Sequence, residues 1–330
     1  MQRILAAVAI CAACGSPSDP GDAKSKPKPL VFEPWSPPQH TSYDIFLASH
    51  GGVIVLSQRY STDDGATWSA LDPRLGRPSR VALTAGTVAL WTPELGLARW
   101  VPATSAITAV AGEPSFAAER TWRVDPLTGR FIAFDPIENA IASETPSGWT
   151  MAALPQPSPT EARPYVKDVE SNGTTLLAVS AWGVHRSIDA GVSWQLASAP
   201  LADAGRDLLV LSDGRFALVG GTVAYLFDST GAPAGTAPAG LRVDNDEAFA
   251  CENNTIITHG KLTRDLGATW QPLVDAGELA IVAERGSCGG GQLWVLARST
   301  AWGYRLLRFD GAATAGVVAG NWEPGAPAWN

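Results

Sequence analysis

Few side chains in this 330-residue chain have the types and spacing that catalysis or metal binding requires. The histidines are scattered (His40, His50, His185 and His259), and no second set of ligands at zinc spacing accompanies any of the four cysteines. The chain also lacks a G-x-S-x-G nucleophile motif and a phosphate-binding loop. We therefore expect no metal and no cofactor, and we assign no catalytic residue.

Acidic side chains leave one kind of reaction open. Hydrolysis of a glycosidic bond requires two carboxyl groups at a set separation, and Glu94 and Glu138 are candidates on loops between predicted strands. Asp63-Asp64 and the segment 244–247 could attract Ca²⁺, but neither follows a full calcium-loop pattern. Solvated acidic loops are the default interpretation of these two segments.

The charge of the chain restricts its partners. Lys and Arg number 24 against 32 Asp and Glu, which gives a formal net charge of −8. Three of the five lysines lie within residues 24–28, so the rest of the chain has no basic cluster. An acidic chain of this kind is not expected to bind nucleic acid.

Three stretches share the pattern hydroxyl-x-Asp-x-Gly-x-hydroxyl-Trp. The Asp can accept hydrogen bonds from later backbone N–H groups, and the Gly can adopt a positive φ, so the pattern predicts a tight hairpin. The Trp would begin the next strand and offer a large apolar surface to the core. The matching residues are Ser61, Asp63, Gly65, Thr67 and Trp68; Ser187, Asp189, Gly191, Ser193 and Trp194; and Thr263, Asp265, Gly267, Thr269 and Trp270.

This pattern resembles the Asp box, or BNR repeat, of sialidases and many other β-propellers. The resemblance implies that the box residues are structural and that a ligand would bind on the face away from the boxes. Sialidases also use three arginines, a Tyr–Glu nucleophile pair and an acid/base Asp, and they carry an N-terminal Arg-Ile-Pro motif that is missing here. The best available pair is Tyr304 with Glu284, and Arg59 and Arg80 are candidates to face the funnel.

Two functions of different kinds follow from the resemblance. The first is a non-catalytic propeller that binds a glycan or a protein, or acts as a scaffold. The second is a divergent exo-glycosidase of the sialidase-like type. We favour the first because the catalytic set of the sialidases is not visible at any matching position. We also expect the protein to be a monomer.

The spacing of the boxes predicts the number of blades. Asp63 and Asp189 are 126 residues apart, and Asp189 and Asp265 are 76 apart, which correspond to three and two repeats of about 40 residues. Apolar runs between the boxes complete seven four-stranded blades over residues 41–330, with six or eight as alternatives. In this interpretation Ser143–Trp149 is a degenerate box, and residues 31–35 or 321–330 supply a closing strand.

The N-terminus predicts export. Residues 1–13 combine Arg3 with about ten apolar residues, as in a secretory signal peptide. Ala12-Ala13-Cys14-Gly15 resembles a bacterial lipobox, which implies lipid attachment at Cys14, although Cys11 departs from the usual pattern. Residues 14–40 then form a Pro- and Ser-rich tether to the membrane. We predict an outer-membrane or cell-surface lipoprotein, with a soluble periplasmic or secreted protein as the alternative.

The two remaining cysteines are predicted to form a disulfide. Cys251 and Cys288 are 37 residues apart, close to one blade, and each lies near the end of a predicted inner strand. An exported protein meets oxidising conditions. The distance between neighbouring inner strands is the main argument against the bond.

Exposed aromatic side chains are candidates for ligand binding. Ala181-Trp182-Gly183 and Ala301-Trp302-Gly303 occupy the same turn of blades four and seven, on the face away from the boxes. An exposed indole is a platform for a sugar or a protein hot spot, whereas a buried indole would only extend the core. Tyr60, His259 and Lys261 would supply polar contacts from similar turns.

The anchor at Cys14 gives the first testable prediction. Cys14→Ser removes the thiol that would carry the lipid, so the protein is expected to move from the detergent phase to the aqueous phase in a phase-partition assay. Ser16→Ala is the matched control, because it leaves the thiol in place. A Cys14→Ser protein that stays in the detergent phase would contradict the anchor.

Overall fold

The part of the chain that the structure describes folds into seven four-stranded antiparallel sheets. The structure is a computed structural model that describes residues 47–56, 59–76, 78, 80–84, 86–114, 121–125, 127–135, 139–156, 165–201, 205, 207–238, 241, 249–251, 254–258, 261–272, 282–289, 292–299, 303–310 and 317–321. Each sheet contains four consecutive strands in sequence order, which is the arrangement of a propeller blade. The predicted seven-bladed, all-β propeller is confirmed.

The first four blades begin after the N-terminal segment. Blade one contains β1 (Leu47–His50), β2 (Val53–Leu56), β3 (Arg59–Ser61) and β4 (Ser69–Ala70), and blade two contains β5 (Arg80–Thr84), β6 (Thr87–Thr92), β7 (Gly96–Val101) and β8 (Ala106–Ala109). Blade three contains β9 (Thr121–Val124), β10 (Phe131–Asp135), β11 (Ala140–Thr145) and β12 (Gly148–Ala153). Blade four contains β13 (Val166–Ser171), β14 (Leu176–Ser180), β15 (Gly183–Ser187) and β16 (Gln195–Ser198).

The last three blades follow the same order. Blade five contains β17 (Asp207–Val210), β18 (Phe216–Val219), β19 (Tyr225–Phe227) and β20 (Pro233–Thr236). Blade six contains β21 (Phe249–Cys251), β22 (Thr255–Thr258), β23 (Lys261–Thr263) and β24 (Gln271–Pro272), and blade seven contains β25 (Val282–Gly289), β26 (Gln292–Ser299), β27 (Gly303–Asp310) and β28 (Val317–Asn321). A 3-10 helix, Pro73–Leu75, follows blade one. No helix in the described ranges is long and apolar enough to cross a membrane.

The second strand of each blade is the most hydrophobic because it is covered on both faces. Val53-Ile-Val-Leu56, Phe131-Ile-Ala-Phe134 and Phe216-Ala-Leu-Val219 are almost entirely buried. A strand buried on both faces is a continuous apolar run, whereas an outer strand faces water and needs no such run. The outer strand β20 accordingly consists of exposed Pro, Ala, Gly and Thr.

The inner strands follow one another around the ring. Strand β1 contacts β5 and β25, β13 contacts β9 and β17, and β21 contacts β17 and β25. Blades one and seven are therefore neighbours, although they stand at opposite ends of the described chain. The proposed closing segments, 31–35 and 321–330, lie outside the described residues except for Asn321, which ends β28.

Side chains close the ring between blades one and seven. Leu47, Ile54 and Leu56 of blade one form one buried cluster with Trp294, Leu296 and Leu306 of blade seven. Trp68, the last residue of the first box, packs against the same cluster and donates its Nε1 hydrogen to the oxygen of Gly65 at 3.0 Å. Hydrophobic packing between two complete blades thus joins them.

The three box stretches form the turns between the third and fourth strands of blades one, four and six. In the first box the Ser61 hydroxyl accepts a hydrogen bond from the N–H of Gly65 at 2.8 Å, and Asp63 accepts bonds from both the N–H and the hydroxyl of Thr67 at 2.8 and 2.7 Å. Asp64 and Gly65 have φ values of 55° and 77°, as in the hairpin turns whose central residues both have positive φ. The second and third boxes repeat these bonds.

The prediction of a degenerate box at Ser143–Trp149 is wrong. Ser143 lies within β11 and pairs with Ile132 and Thr150, and the turn comprises residues 146–147 only. Without an Asp at the third position, no carboxylate is available to accept the N–H bonds that hold the longer box turn.

The second testable prediction concerns Trp194, which is 7% exposed and packs with Phe134, Ile141 and Val166 between blades three and four. Trp194→Ala leaves a cavity there and is expected to lower the free energy of unfolding by ~3–5 kcal/mol. Leu196→Ala, on the exposed outer strand β16, is the control, with an expected change of about 0.5 kcal/mol. Equal urea midpoints for the two variants would contradict the inter-blade role of Trp194.

Candidate functional site

Three charged side chains form an ion cluster on the inner strands of blades three and four. Arg123 of β9 donates from Nε to Glu170 at 2.8 Å and from an Nη to Asp168 at 2.7 Å, and both carboxylates belong to β13. The other oxygen of Asp168 accepts the backbone N–H of Leu208 in blade five at 2.9 Å. The cluster therefore links three consecutive blades at the centre of the ring.

The environment of this cluster shifts the pKa values of its side chains. Burial raises the pKa of Glu170 to about 7; the positive charge of Arg123 opposes that shift, and the neighbouring Asp168 adds to it. Burial alone would lower the pKa of Arg123, but the two carboxylates outweigh it and hold the guanidinium charged. Arg123 is thus neutralised within the protein and is not free to clamp the carboxylate of a substrate.

A second site lies between blades three and four on the face that carries the boxes. The site is a cavity of about 40 Å³, and its polar lining consists of Asp125, Thr128, Arg130, Ser143, Glu144 and Thr174. The first three belong to the turn between β9 and β10, and Thr174 belongs to the turn between β13 and β14. Ala190, in the box turn of blade four, completes one wall.

Asp125 shapes the turn and connects the two blades. One of its oxygens accepts the N–H groups of Leu127 and Thr128 at 3.0 and 2.8 Å, as in an Asx turn. The other oxygen accepts the hydroxyl of Ser171 in blade four at 2.6 Å. The carboxylate of Asp125 is therefore satisfied by three protein donors, and the turn around the cavity is held in one conformation.

Glu144 is also satisfied. One of its oxygens accepts hydrogen bonds from Arg99 of blade two and from the N–H of Phe131. Arg99 in turn donates to the oxygen of Gly129 at 3.0 Å and lies over the ring of Phe131, 4.9 Å from its centroid. Both acidic side chains of the cavity wall therefore already have donors.

Exposed aliphatic side chains belong to two of the turns that contribute to the cavity lining. Leu127 is 74% exposed, Ile188 is 69% exposed and Val192 is 56% exposed. Leu127 precedes Thr128 of the lining, and the other two stand two residues on either side of Ala190. Leu127 also lies over Gly173, where an added Cβ would be 2.2 Å from its Cδ1. We call these three side chains and the cavity the blade 3–4 surface.

The predicted ligand-binding side chains have other environments. Trp182 is 7% exposed, so the prediction of an exposed platform is wrong for this residue and the alternative of a buried indole applies, since burial removes a large apolar surface from water. Tyr60 lies in β3 instead of a turn and packs edge-to-face on Trp100, with ring centroids 4.8 Å apart. Lys261 begins β23 and places Nζ 4.7 Å from the ring centroid of Trp270. His259 and Trp302 lie outside the described residues.

Those residues considered for catalysis that the structure describes lie in blades one, two and seven. Glu94 lies in the turn between β6 and β7 and packs beside Gly76, and Glu138 lies outside the described residues. Glu284 lies in β25 and Tyr304 in β27, with β26 between them. Arg59 belongs to β3 and Arg80 to β5. No group of three or more metal-ligating side chains occurs within the described ranges.

The box residues and the cysteines remain to be placed. Trp194 is buried, whereas Trp68 and Trp270 are half-buried against clusters of blades seven and five. Cys251 ends β21 and Cys288 lies in β25, so the two residues belong to adjacent inner strands that contact each other. The disulfide stays a prediction.

Sequence reasoning did not find Arg123 or Arg130, and it assigned Ser143 to a degenerate box instead of a cavity wall. One signal for Arg130 was present: Gly129-Arg130-Phe131 and Gly214-Arg215-Phe216 repeat at the same turn of blades three and five. No local signal marks Arg123, because its partners lie 45 and 47 residues away.

Comparisons with known proteins agree with this architecture. The family described as BNR/Asp-box repeat matches residues 59–70, so the chain carries at least one such repeat. The structure of YCF48 bound to D1 peptide is similar with a TM-score of 0.54 and 17% identity, over 86% of this chain and 98% of that one. A chain in a crystal structure of the mitotic checkpoint complex has a TM-score of 0.54 and 11% identity, over 93% and 99% of the two chains.

These structures show the fold alone, and the protein is a β-propeller with Asp-box turns. No curated protein sequence matches the chain.

The third testable prediction concerns Glu170→Gln. Because the pKa of Glu170 is raised to about 7, mainly by burial, the folded protein binds this proton more tightly than the unfolded chain, where a Glu titrates near ~4.3. The contribution of Glu170 to the free energy of unfolding is therefore full below about pH 4.3 and is lost as the pH rises to about 7. The variant should gain stability relative to the wild type across that window.

Urea unfolding at several pH values measures this difference. Burial lowers the pKa of His185 to about 4, so this residue stabilises the fold above about pH 6.5 and loses that effect as the pH falls. The contribution of His185 is common to both proteins and cancels in the comparison. A difference that does not vary between pH 4 and 8 would contradict the assignment to Glu170.

Proposed function

We propose that this protein is an exported, lipid-anchored and non-catalytic propeller that binds another protein through the blade 3–4 surface. The observation that carries the proposal is the exposure of Leu127, Ile188 and Val192, which belong to two of the turns that contribute to the lining of one cavity. Clustered exposed apolar side chains with a polar surround are typical of protein interaction sites. The turns that bear them are held by Asp125 and by the second Asp box, so the surface is preorganised.

The chemistry of this surface favours a protein over a glycan. Sugars stack on exposed aromatic rings, whereas these three side chains are aliphatic and the candidate ring of Trp182 is buried. The cavity of about 40 Å³ is also far below the ~300–1,000 Å³ of small-molecule pockets. It can admit one terminal group of a partner, but not a sugar ring.

The ion cluster argues against the alternative function, a divergent glycosidase. Asp168 and Glu170 are held by one arginine, an arrangement that a pair of catalytic carboxylates can also have. Asp168, however, is buried and accepts bonds from Arg123 and from the N–H groups of Val169 and Leu208. A carboxylate with all these donors is a poor nucleophile and has no open side for a water molecule.

One of the two similar structures supports the proposed binding of a protein. YCF48 was solved bound to D1 peptide, so a propeller of this size can bind a segment of another protein. At 17% identity this similarity shows the fold only. Peptide binding by the present chain is therefore part of the proposal.

The N-terminal sequence supports the proposed location. Cys14 in a lipobox-like segment would hold the protein on a membrane, and a tether of residues 14–40 could span at most ~90 Å at ~3.3 Å per residue. A tether of this length keeps the propeller close to the membrane surface. The proposed partner is therefore a membrane protein or another protein of the same envelope.

The fourth testable prediction separates binding from stability. The triple variant Leu127→Ser, Ile188→Ser and Val192→Ser removes the exposed apolar area and should change stability little, because the side chains are exposed. Chemical cross-linking in the intact envelope, followed by mass spectrometry, should identify a protein whose yield falls at least tenfold in the triple variant. Met151→Ser is the control, because Met151 is 64% exposed on the outer strand β12, away from this surface.

Identical cross-linked proteins in the wild type and the triple variant would reject the blade 3–4 surface as the binding site. Loss of the same proteins in Met151→Ser would show a general effect of exposed apolar area and would equally reject the site.

A further inference from the structure

We infer that the cavity of the blade 3–4 surface is a receptor for the free C-terminal carboxylate of a protein that ends in an aliphatic residue. The inference rests on the proposed function and specifies the part of the partner that is recognised. Its basis is the combination of one uncommitted arginine, one buried hydroxyl without a partner and three aliphatic side chains on two of the turns that line a cavity of about 40 Å³.

Arg130 supplies the positive charge. Its backbone N–H bonds the Thr128 hydroxyl at 3.4 Å, but its guanidinium makes no hydrogen bond or ion pair with any part of the chain that the structure describes. The corresponding residue of blade five, Arg215, is engaged by Asp213 at 2.7 Å. Arg130 has no such neighbour at that position, because its turn places Thr128 there. A half-buried guanidinium in this state is a ready donor for a carboxylate.

Ser143 supplies the second donor. The residue is 3% exposed, lines the cavity, and its Oγ is buried without a hydrogen-bond partner. A buried hydroxyl without a partner destabilises the fold unless a ligand or a water molecule forms a hydrogen bond with it. Strand β11 holds Ser143 in register with Ile132 and Thr150, so the hydroxyl has a fixed position in the wall.

The other charged groups of the wall are already compensated. Asp125 accepts three protein hydrogen bonds, and Glu144 is paired with Arg99. Arg130 is therefore the charge that remains to be balanced, and an anionic group is the ligand that balances it. Thr128 and Thr174 line the same cavity. The Thr174 hydroxyl already donates to Asn172 at 3.1 Å, whereas the Thr128 hydroxyl only accepts the N–H of Arg130 and can donate its hydrogen to a second carboxylate oxygen.

The aliphatic side chains of the two turns favour a C-terminus over an acidic side chain. A volume of about 40 Å³ admits a carboxylate and little else. In a C-terminal residue the carboxylate and the side chain hang from one Cα, so an aliphatic side chain would contact Leu127 or Ile188 while the carboxylate meets Arg130. One residue of the partner thereby satisfies both features of the site.

Immobilised peptides test this inference with the full chain in detergent micelles. Each peptide has a Gly-Ser body and ends in Leu, Ile, Val, Ala or Asp, either as the free acid or as the amide, and one further series carries an internal Asp before a terminal amide. The free acids that end in Leu, Ile or Val are expected to bind at least tenfold more tightly than their amides. Fluorescence anisotropy with the same peptides gives the dissociation constants.

Three variants assign the effect to residues. Arg130→Gln should abolish the preference for acid over amide, whereas Arg215→Gln, at the equivalent turn of blade five, should preserve it. Ser143→Ala should weaken binding of the acids several-fold without lowering the melting temperature, because the hydroxyl has no partner to lose. This pair of readouts distinguishes a ligand contact from a structural role.

Equal binding of acids and amides, equal effects of Arg130→Gln and Arg215→Gln, or the absence of any peptide binding would each overturn the inference. Equal binding of the internal-Asp series would overturn the choice of a C-terminus and assign an acidic side chain instead. These outcomes are independent of the proposed function, because loss of a cross-linked partner in the Leu127, Ile188 and Val192 triple variant would still establish the protein interface.

Discussion

The structure depends on the burial of both faces of every sheet against its neighbours. A four-stranded sheet of this composition has an apolar second strand that water would contact on both sides if the blade stood alone. The blades therefore stack in a ring, and the last contact, between blades one and seven, is made by Leu47, Ile54 and Trp294 with their neighbours. Because no described strand crosses between these two blades, apolar packing carries the closure.

The junction between blades three and four has polar contacts in addition to its apolar core, and the candidate site lies beside these contacts. Arg123 joins the two inner strands, and Asp125 bonds Ser171 across the same junction. Polar contacts with fixed geometry restrict the sliding that apolar contacts allow. The turns that carry Leu127 and Arg130 are thus rigid, and a rigid surface loses less entropy when a partner binds.

Local sequence and distant contacts contribute unequally to the site. The turn around Asp125 follows from its own residues, since Asp, Thr and Gly at these positions favour an Asx turn with a positive φ at Gly129. The compensation of Glu144 by Arg99 joins residues 45 positions apart, and the ion cluster spans 45 and 47 positions. Such pairs cannot be read from spacing, because they depend on the register between separate blades.

The sequence by itself determined the repeating unit. The three boxes encode their own turns through hydrogen bonds that span at most four residues, so the hairpins, the repeat length and hence the seven blades were all predictable. Only the tertiary structure decided which side chains remain exposed. Trp182 and Ile188 stand six residues apart in the same blade, yet the indole is buried and the isoleucine is exposed. That outcome depends on how each turn meets the adjoining blade, and no local pattern specifies the distance between blades.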